Sequence, residues 1–434
     1  MSKFLNKLIS QWRSPGVPVA IASFLFNFSL SKLISFAGPI FLGLYLQTDV
    51  FGGIEFTWAI GPVAALVLTI GAPAAAMQSI LVEDDNNVLD LLSAATALCA
   101  IAGLAATGVL LAWGASSHYL LASSAIGLFG LQASSLAYAR ASAWRIGNLW
   151  VEHMPTFVLL TCAILFSAIG AQNRMSAYIC GFALISLATL LASLRLLGRT
   201  SSQDFVARIT RSARFGLPVV AAMIAGVWIF GSGRVWFQLF GNEDGLFAYA
   251  LSLRASTIIM LVTAVVIGAF SAELYKMPTR EFDIATAALT AVLFVGALAY
   301  VAGAPELWLA RRIGAGNADA ILRQESIALV PAQAFFLGSQ LLVDMRVART
   351  GLAAAAATLS ACVAGLFSLA AAGLHGVGWS SSLALTILII AQQAVALAAS
   401  HTVLAWRRKA LPLAGLVSGC GGLGLCVAAW WLRM

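Results

Sequence analysis

Residues 88–114 read VLDLLSAATALCAIAGLAATGVLLAWG. One acid, Asp90, stands near the start, and the rest of the stretch carries no charge and no proline. A bilayer core about 30 Å thick needs roughly 20 apolar residues wound as a helix, so this stretch is long enough to cross it. Helices and closed barrels alone can do so, because a backbone group left unpaired in hydrocarbon costs several kcal/mol. Barrel strands alternate apolar and polar residues over short segments, whereas this run is continuous and rich in Ala, Leu and Gly. It is a membrane helix.

The same signature repeats along the chain. Of its 434 residues 61% are hydrophobic and 10% charged, with a mean hydropathy of +0.93. A soluble domain carries about 25% charged residues, so this chain cannot cover a globule with polar surface. Spans are expected at 17–45, 51–77, 88–114, 119–139, 152–171, 175–198, 216–240, 246–271, 284–304, 325–345, 351–373, 379–405 and 411–431, the last Gly-rich enough to be re-entrant. The expected fold class is therefore an all-α polytopic membrane protein with 12 to 14 transmembrane helices.

The stretch GRTSSQDFVARITRSARF, 198–215, is basic, amphipathic and placed mid-chain. It divides the sequence into a cytoplasmic amphipathic segment (1–16), an N-terminal lobe (17–198), a basic cytoplasmic linker (199–215), a C-terminal lobe (216–406) and one extra helix (411–431). Two six-helix lobes around a central cavity are the usual design of alternating-access transporters. The turns LQTDVFGG (46–53) and FGNEDGLF (240–247) are short, acidic and in matching places of the two halves. With the N-terminus inside, 17 of the 25 Lys and Arg residues fall on inner segments and 5 on outer ones. That bias sets the orientation expected in a bacterial plasma membrane, and it accounts for the net charge of +8 without nucleic acid.

Three cations lie within spans: Lys32, Arg234 and Arg254. A charge at the bilayer centre costs about 2.5–3.5 kcal/mol even on the lenient insertion scale. The three therefore call for shared compensation, read here as a hydrated electropositive cavity that receives an anionic head group, with the arginines gripping phosphate bidentately. Snorkelling of the long side chains to an interface is the competing reading. Glu55 is the one acid at comparable depth in this reading and the candidate coupling or cavity acid. Asn27, Gln78, Gln132 and Gln238 are polar groups within spans, explained by interhelical hydrogen bonds, with Asn27 and Gln78 also candidates for lining the cavity. Asp344 with Arg346, and Glu152 with Arg145, read as interfacial ion pairs. His153 is a weak candidate for proton relay, and His118, His375 and His401 show no metal-ligand spacing. Cys99, Cys162, Cys180, Cys362, Cys420 and Cys426 fall in apolar spans and read as small buried hydrophobes. The pattern G-x-G-x-x-G at 419–424 follows no strand and lies in an apolar span, so no dinucleotide site is expected there.

The runs RFGLP (214–218), GRVWF (233–237) and FGNEDGLFAYALSLRAS (240–256) resemble the polysaccharide and oligosaccharide flippases of the multidrug/oligosaccharidyl-lipid/polysaccharide exporter superfamily. In that family a basic loop leads to GLP at the seventh span. An Asp-Arg pair follows, and then a turn with an aromatic, a Tyr and a basic residue in the eighth span. Arg234, Tyr249 and Arg254 stand at the matching positions, while Gly233 occupies the place of the family's Asp and Gln78 that of a basic residue. RVART (346–350) also resembles the family's inner turn. The resemblance implies a flippase that carries a polyprenyl-diphosphate-linked oligosaccharide across the inner membrane, driven by H⁺ or Na⁺ and without a bound cofactor. Its expected partners are the lipid-linked anionic glycan, membrane lipids and polysaccharide biosynthesis proteins, and not nucleic acid. Tyr249 then joins the cavity-lining residues. The alternatives are a cation-coupled multidrug antiporter of the same superfamily and a membrane polysaccharide polymerase or ligase. The first calls for free membrane carboxylates and the second for a sizeable outer loop, so the expected protein is not an enzyme.

Overall fold

The computed structural model describes residues 17–82, 88–142, 145–197, 202–260, 263, 278–303, 330–349, 353–378, 381–408 and 413–433. Among these every regular element is helical. The first part of the chain forms α1 (Val17–Tyr45), α2 (Thr48–Leu68), α3 (Ala72–Val82), α4 (Leu89–Ala112), α5 (Ser117–Ser124), α6 (Ile126–Ala141), α7 (Arg145–Glu152), α8 (Met154–Ala168) and α9 (Met175–Leu197). The second forms α10 (Ser202–Leu239), α11 (Glu243–Ser256) with a 3₁₀ turn at Thr257–Met260, α12 (Thr279–Gly303), α13 (Val330–Arg349), α14 (Ala353–Gly376), α15 (Ser382–Arg408) and α16 (Leu413–Arg433). Among the described residues seven helices are long and apolar enough to cross a membrane, and the bent pair α7 and α8 makes an eighth if counted as one span. The chain is a multi-pass membrane protein.

Several spans differ from the simple pattern, each for a local reason. The second span ends early, at Leu68, because Ile70 and Gly71 take φ of 49° and 79° and reverse the hand of the backbone. The helix restarts at Ala72, with Pro73 in a first turn whose N–H has no intrahelical partner to lose. Between α7 and α8 the axis turns by 57° at His153, just ahead of Pro155. The expected linker loop is helical from Ser202 and runs straight into the seventh span as one helix of 38 residues. Its Arg, Ala and Gln residues favour helix, and Gly216 and Pro218 do not interrupt it. The last segment, Leu413–Arg433, is a single helix lying along α12. The segment 1–16 and residues 304–329 lie outside the described residues.

By chain order the helices form two sets, α1–α9 and α10–α16. α4 packs on α6 and α9, and α2 on α5 and α6; further along, α12 packs on α13 and α16, and α10 on α14 and α15. The sets meet where α10 runs along α2 and α3 and where α11 touches α1 and α2. Lipid tails are as apolar as leucine, so close side-chain packing has to hold this contact. Phe51 of α2 meets Phe247 of α11 edge to face at 5.3 Å, and Phe56, Ala59 and Ala122 close over Val235 of α10. The reading of all six cysteines as buried is corrected here. Cys99 and Cys162 are buried, but Cys180, Cys362 and Cys420 lie on the outer face of the bundle, where acyl chains accept a thiol as readily as protein does.

Candidate functional site

Glu55 lies two turns into α2 and is 1% exposed. A lone carboxylate there would carry a desolvation penalty of several kcal/mol. Two guanidinium groups from the other helix set answer it. Arg234 Nε of α10 is 2.9 Å from Glu55 Oε2, a charge contact whose N–H is not aligned as a hydrogen bond. Arg254 of α11 donates from Nε to Oε1 at 3.1 Å and from Nη2 to Oε2 at 3.3 Å. The cluster holds two cations on one anion and spans the contact between the sets. The Arg234 guanidinium also lies over the Phe230 ring, one turn earlier, at 5.5 Å.

Lys32 does not join this group. Its Nζ, midway along α1, donates to Glu152 Oε1 at 3.0 Å and to His153 Nε2 at 2.9 Å. An ammonium has no acceptor capacity, so His153 accepts at Nε2 and its ring proton sits on Nδ1. Glu152 and His153 stand at the α7–α8 bend, where the helix ladder is broken. Gln132 of α6 donates to the Glu152 carbonyl at 2.7 Å, and Trp150 Nε1 donates to Asn27 Oδ1 at 3.1 Å. Glu152 is thus paired with Lys32 of α1, its carboxylate standing at the bend; the Arg145 side chain, its expected partner, lies outside the described residues.

Tyr249 is fully buried behind Arg234, its hydroxyl donating to Gln333 Oε1 at 2.8 Å with Gln333 Nε2 2.7 Å away. Its ring stacks on Phe237 at 5.2 Å. This explains Gly233. A Cβ there would stand 2.5 Å from the Tyr249 hydroxyl and 2.7 Å from Ile389 Cδ1, so the Asp of the resembled family has no room.

A third group closes one end of the contact. His118 of α5 places Nε2 2.8 Å from Asp49 Oδ1 of α2 and Nδ1 2.8 Å from Gln238 Nε2 of α10. Gly53 makes this possible, since a Cβ there would stand 2.7 Å from the imidazole Cδ2.

Of the sequence candidates, then, Glu55, Arg234 and Arg254 come together, Tyr249 supports them from behind, and Lys32 and Asn27 belong to the group at the α7–α8 bend. The side chains of Gln78, Arg145, Asp344 and Arg346 lie outside the described residues. Glu152, His118, Asp49 and Gln333 carry more of the site than their sequence positions suggest. The signal available for Asp49 was its place in the acidic turn 46–53, and for Glu152 its adjacency to His153 ahead of Met-Pro. A small cavity between Thr286, Thr290, Ser339, Leu342, Val343, His401 and Ser418 lies within the C-terminal set, apart from the charged clusters.

No protein-family profile matches the sequence. No curated protein matches it either. Among solved structures, the fold is similar to a crystal structure of a mutant of the Vibrio cholerae MATE transporter VcmN, with a TM-score of 0.45 and 16% identity over 90% of this chain and 98% of that one.

Proposed function

We propose that the chain is a flippase that moves a polyprenyl-diphosphate-linked oligosaccharide from the inner to the outer leaflet of a bacterial plasma membrane by alternating access, with its N-terminus cytoplasmic. The observation that carries this reading is the sharing of Glu55, from one helix set, by Arg234 and Arg254, from the other. Parting of the two sets pulls the carboxylate away and leaves two guanidiniums needing an anion. A diphosphate meets that need bidentately and supplies more charge than one carboxylate. Phosphate and Glu55 then compete for the same arginines, so closure of the lobes expels the head group. Lys32, with a Glu152 partner that reaches the protein surface, supplies the third cation. A cationic drug, the alternative cargo, is disfavoured because Glu55 and Glu152 are both committed to cations.

The test is transbilayer movement of a fluorescent, short-chain polyprenyl-diphosphate oligosaccharide in proteoliposomes. Wild type moves it, and Arg234→Ala or Arg254→Ala slows it at least about tenfold, the equivalent of about 1.4 kcal/mol. Unchanged movement in the double alanine variant removes the proposal. Movement of a cationic dye in place of the lipid assigns the chain to drug antiport instead.

A further inference from the structure

Asp49, His118 and Gln238 come from three helices and join both sets at one end of their contact. In the arrangement observed, the Gln238 amide donates to Nδ1, so the imidazole is neutral and donates from Nε2 to Asp49. Gln238 Oε1 is left buried with no hydrogen-bond partner among the described residues. Turning the amide over presents that oxygen to Nδ1. The same three side chains then hold an imidazolium through two charge-assisted hydrogen bonds, one to a carboxylate and one to an amide oxygen. The Asp49 side chain is 54% exposed and that of His118 10%, so the cluster opens to water through its carboxylate.

We propose that His118 is a proton-binding site, loaded through Asp49 from the membrane face that the charge distribution places outside, and that its protonation tightens the hold of α2 and α5 on α10. Gln238 lies one turn from Arg234 on α10, so the state of the ring is passed to the helix that carries the Glu55 pairing. The other charged groups on elements around α5 are few. α2 adds Glu55, already neutralised; α10 adds Arg234; Arg174 precedes α9; Asp90 of α4, Arg140 of α6 and Arg195 of α9 lie at the far ends of their helices. α5 itself adds only the Tyr119 hydroxyl. Among the described residues Asp49 is therefore the carboxylate that meets the ring.

The experiment uses the full chain in nanodiscs with no substrate, so its result is independent of the transport reading. Spin labels on noncanonical residues at Gln47 and Ser381, exposed positions ahead of α2 and α15, report the separation of the two sets. Wild type gives a single narrow distance at about pH 5.5 and a broader, longer distribution at about pH 8, on either side of the usual imidazole range. His118→Gln gives one distribution at both pH values. Asp49→Asn, at an exposed position, removes the charge that holds the imidazolium and reduces the narrowing seen at about pH 5.5. A wild-type distance that ignores pH, or a full response surviving in His118→Gln, overturns the proposal.

Discussion

Arg234–Glu55–Arg254 and Lys32–Glu152–His153 are built from the same chemistry, a carboxylate holding cations inside an apolar bundle, yet they join different things. The first ties α2 to α10 and α11 across the two helix sets, and its carboxylate is 1% exposed. The second ties α1 to the α7–α8 bend within one set, and the Glu152 side chain is 37% exposed. One cation of each cluster also has an aromatic one turn before it, Phe230 for Arg234 and Phe28 for Lys32. The difference is in the alternative open to each carboxylate. Glu152 can turn toward polar surroundings if Lys32 leaves. Glu55 cannot, so any event that removes its arginines has to part the two sets or bring another anion.

The largest expected effect follows from that asymmetry. Glu55→Leu strands two guanidiniums in the interior and is expected to destabilise the protein by about 3–5 kcal/mol, the range for breaking a buried pair by removing one partner. Denaturant unfolding in detergent measures this. Glu152→Gln, read in the same assay, is expected to cost less than Glu55→Leu, because this carboxylate is 37% exposed and glutamine still offers Lys32 an amide oxygen. Equal losses in the two variants would erase the distinction between the clusters.

An intermediate effect sharpens the packing behind Arg234. Gly233→Ala places a methyl against the Tyr249 hydroxyl and is expected to cost about 1–3 kcal/mol by overpacking. Tyr249→Phe removes the oxygen in the way but also leaves Gln333 short of its partner. The double variant should therefore be more stable than the sum of the singles by about 0.5–3 kcal/mol. Additive losses would mean that Ile389, not Tyr249, limits the space.

How much of this was legible in the sequence depends on the range of the interaction. Membrane helices declare themselves locally, so Leu89–Ala112 and Met175–Leu197 fall close to their expected spans. The early stop at Leu68 did not, because it rests on the backbone of Ile70, a β-branched residue with φ of 49° that no propensity foretells. The linker is basic and reads as a loop, but residues 202–215 hold no Gly or Pro, and the helix runs on through Gly216 and Pro218. Lys32, Arg234, Arg254 and Glu55 stood out because a charge in an apolar run is costly wherever it ends up. Their pairing was not visible, since Arg254 and Glu55 are 199 residues apart and Lys32 and Glu152 are 120 apart. Glu152 has Arg145 close by in sequence, whereas its contact with Lys32 is one that the bend creates.

The smallest predicted effect tests the bend directly. A 57° turn between α7 and α8 breaks the backbone ladder, and the Glu152 carbonyl is met by Gln132 Nε2 at 2.7 Å. Gln132→Leu keeps the volume and removes the donor. The expected loss is only about 0.6 kcal/mol, the mean for an interhelical hydrogen bond in a membrane protein, since the carbonyl can straighten into a more helical arrangement. That straightening is the informative part. It would swing the Glu152 carboxylate away from Lys32 while leaving Arg234 and Arg254 on Glu55. Gln132→Leu and Glu152→Gln should therefore be less than additive in the unfolding assay, whereas Gln132→Leu and Glu55→Leu should add. If Gln132→Leu instead couples to Glu55→Leu, the two clusters act as one unit, and the distinction between the cluster on α2, α10 and α11 and the cluster on α1 and the bend fails.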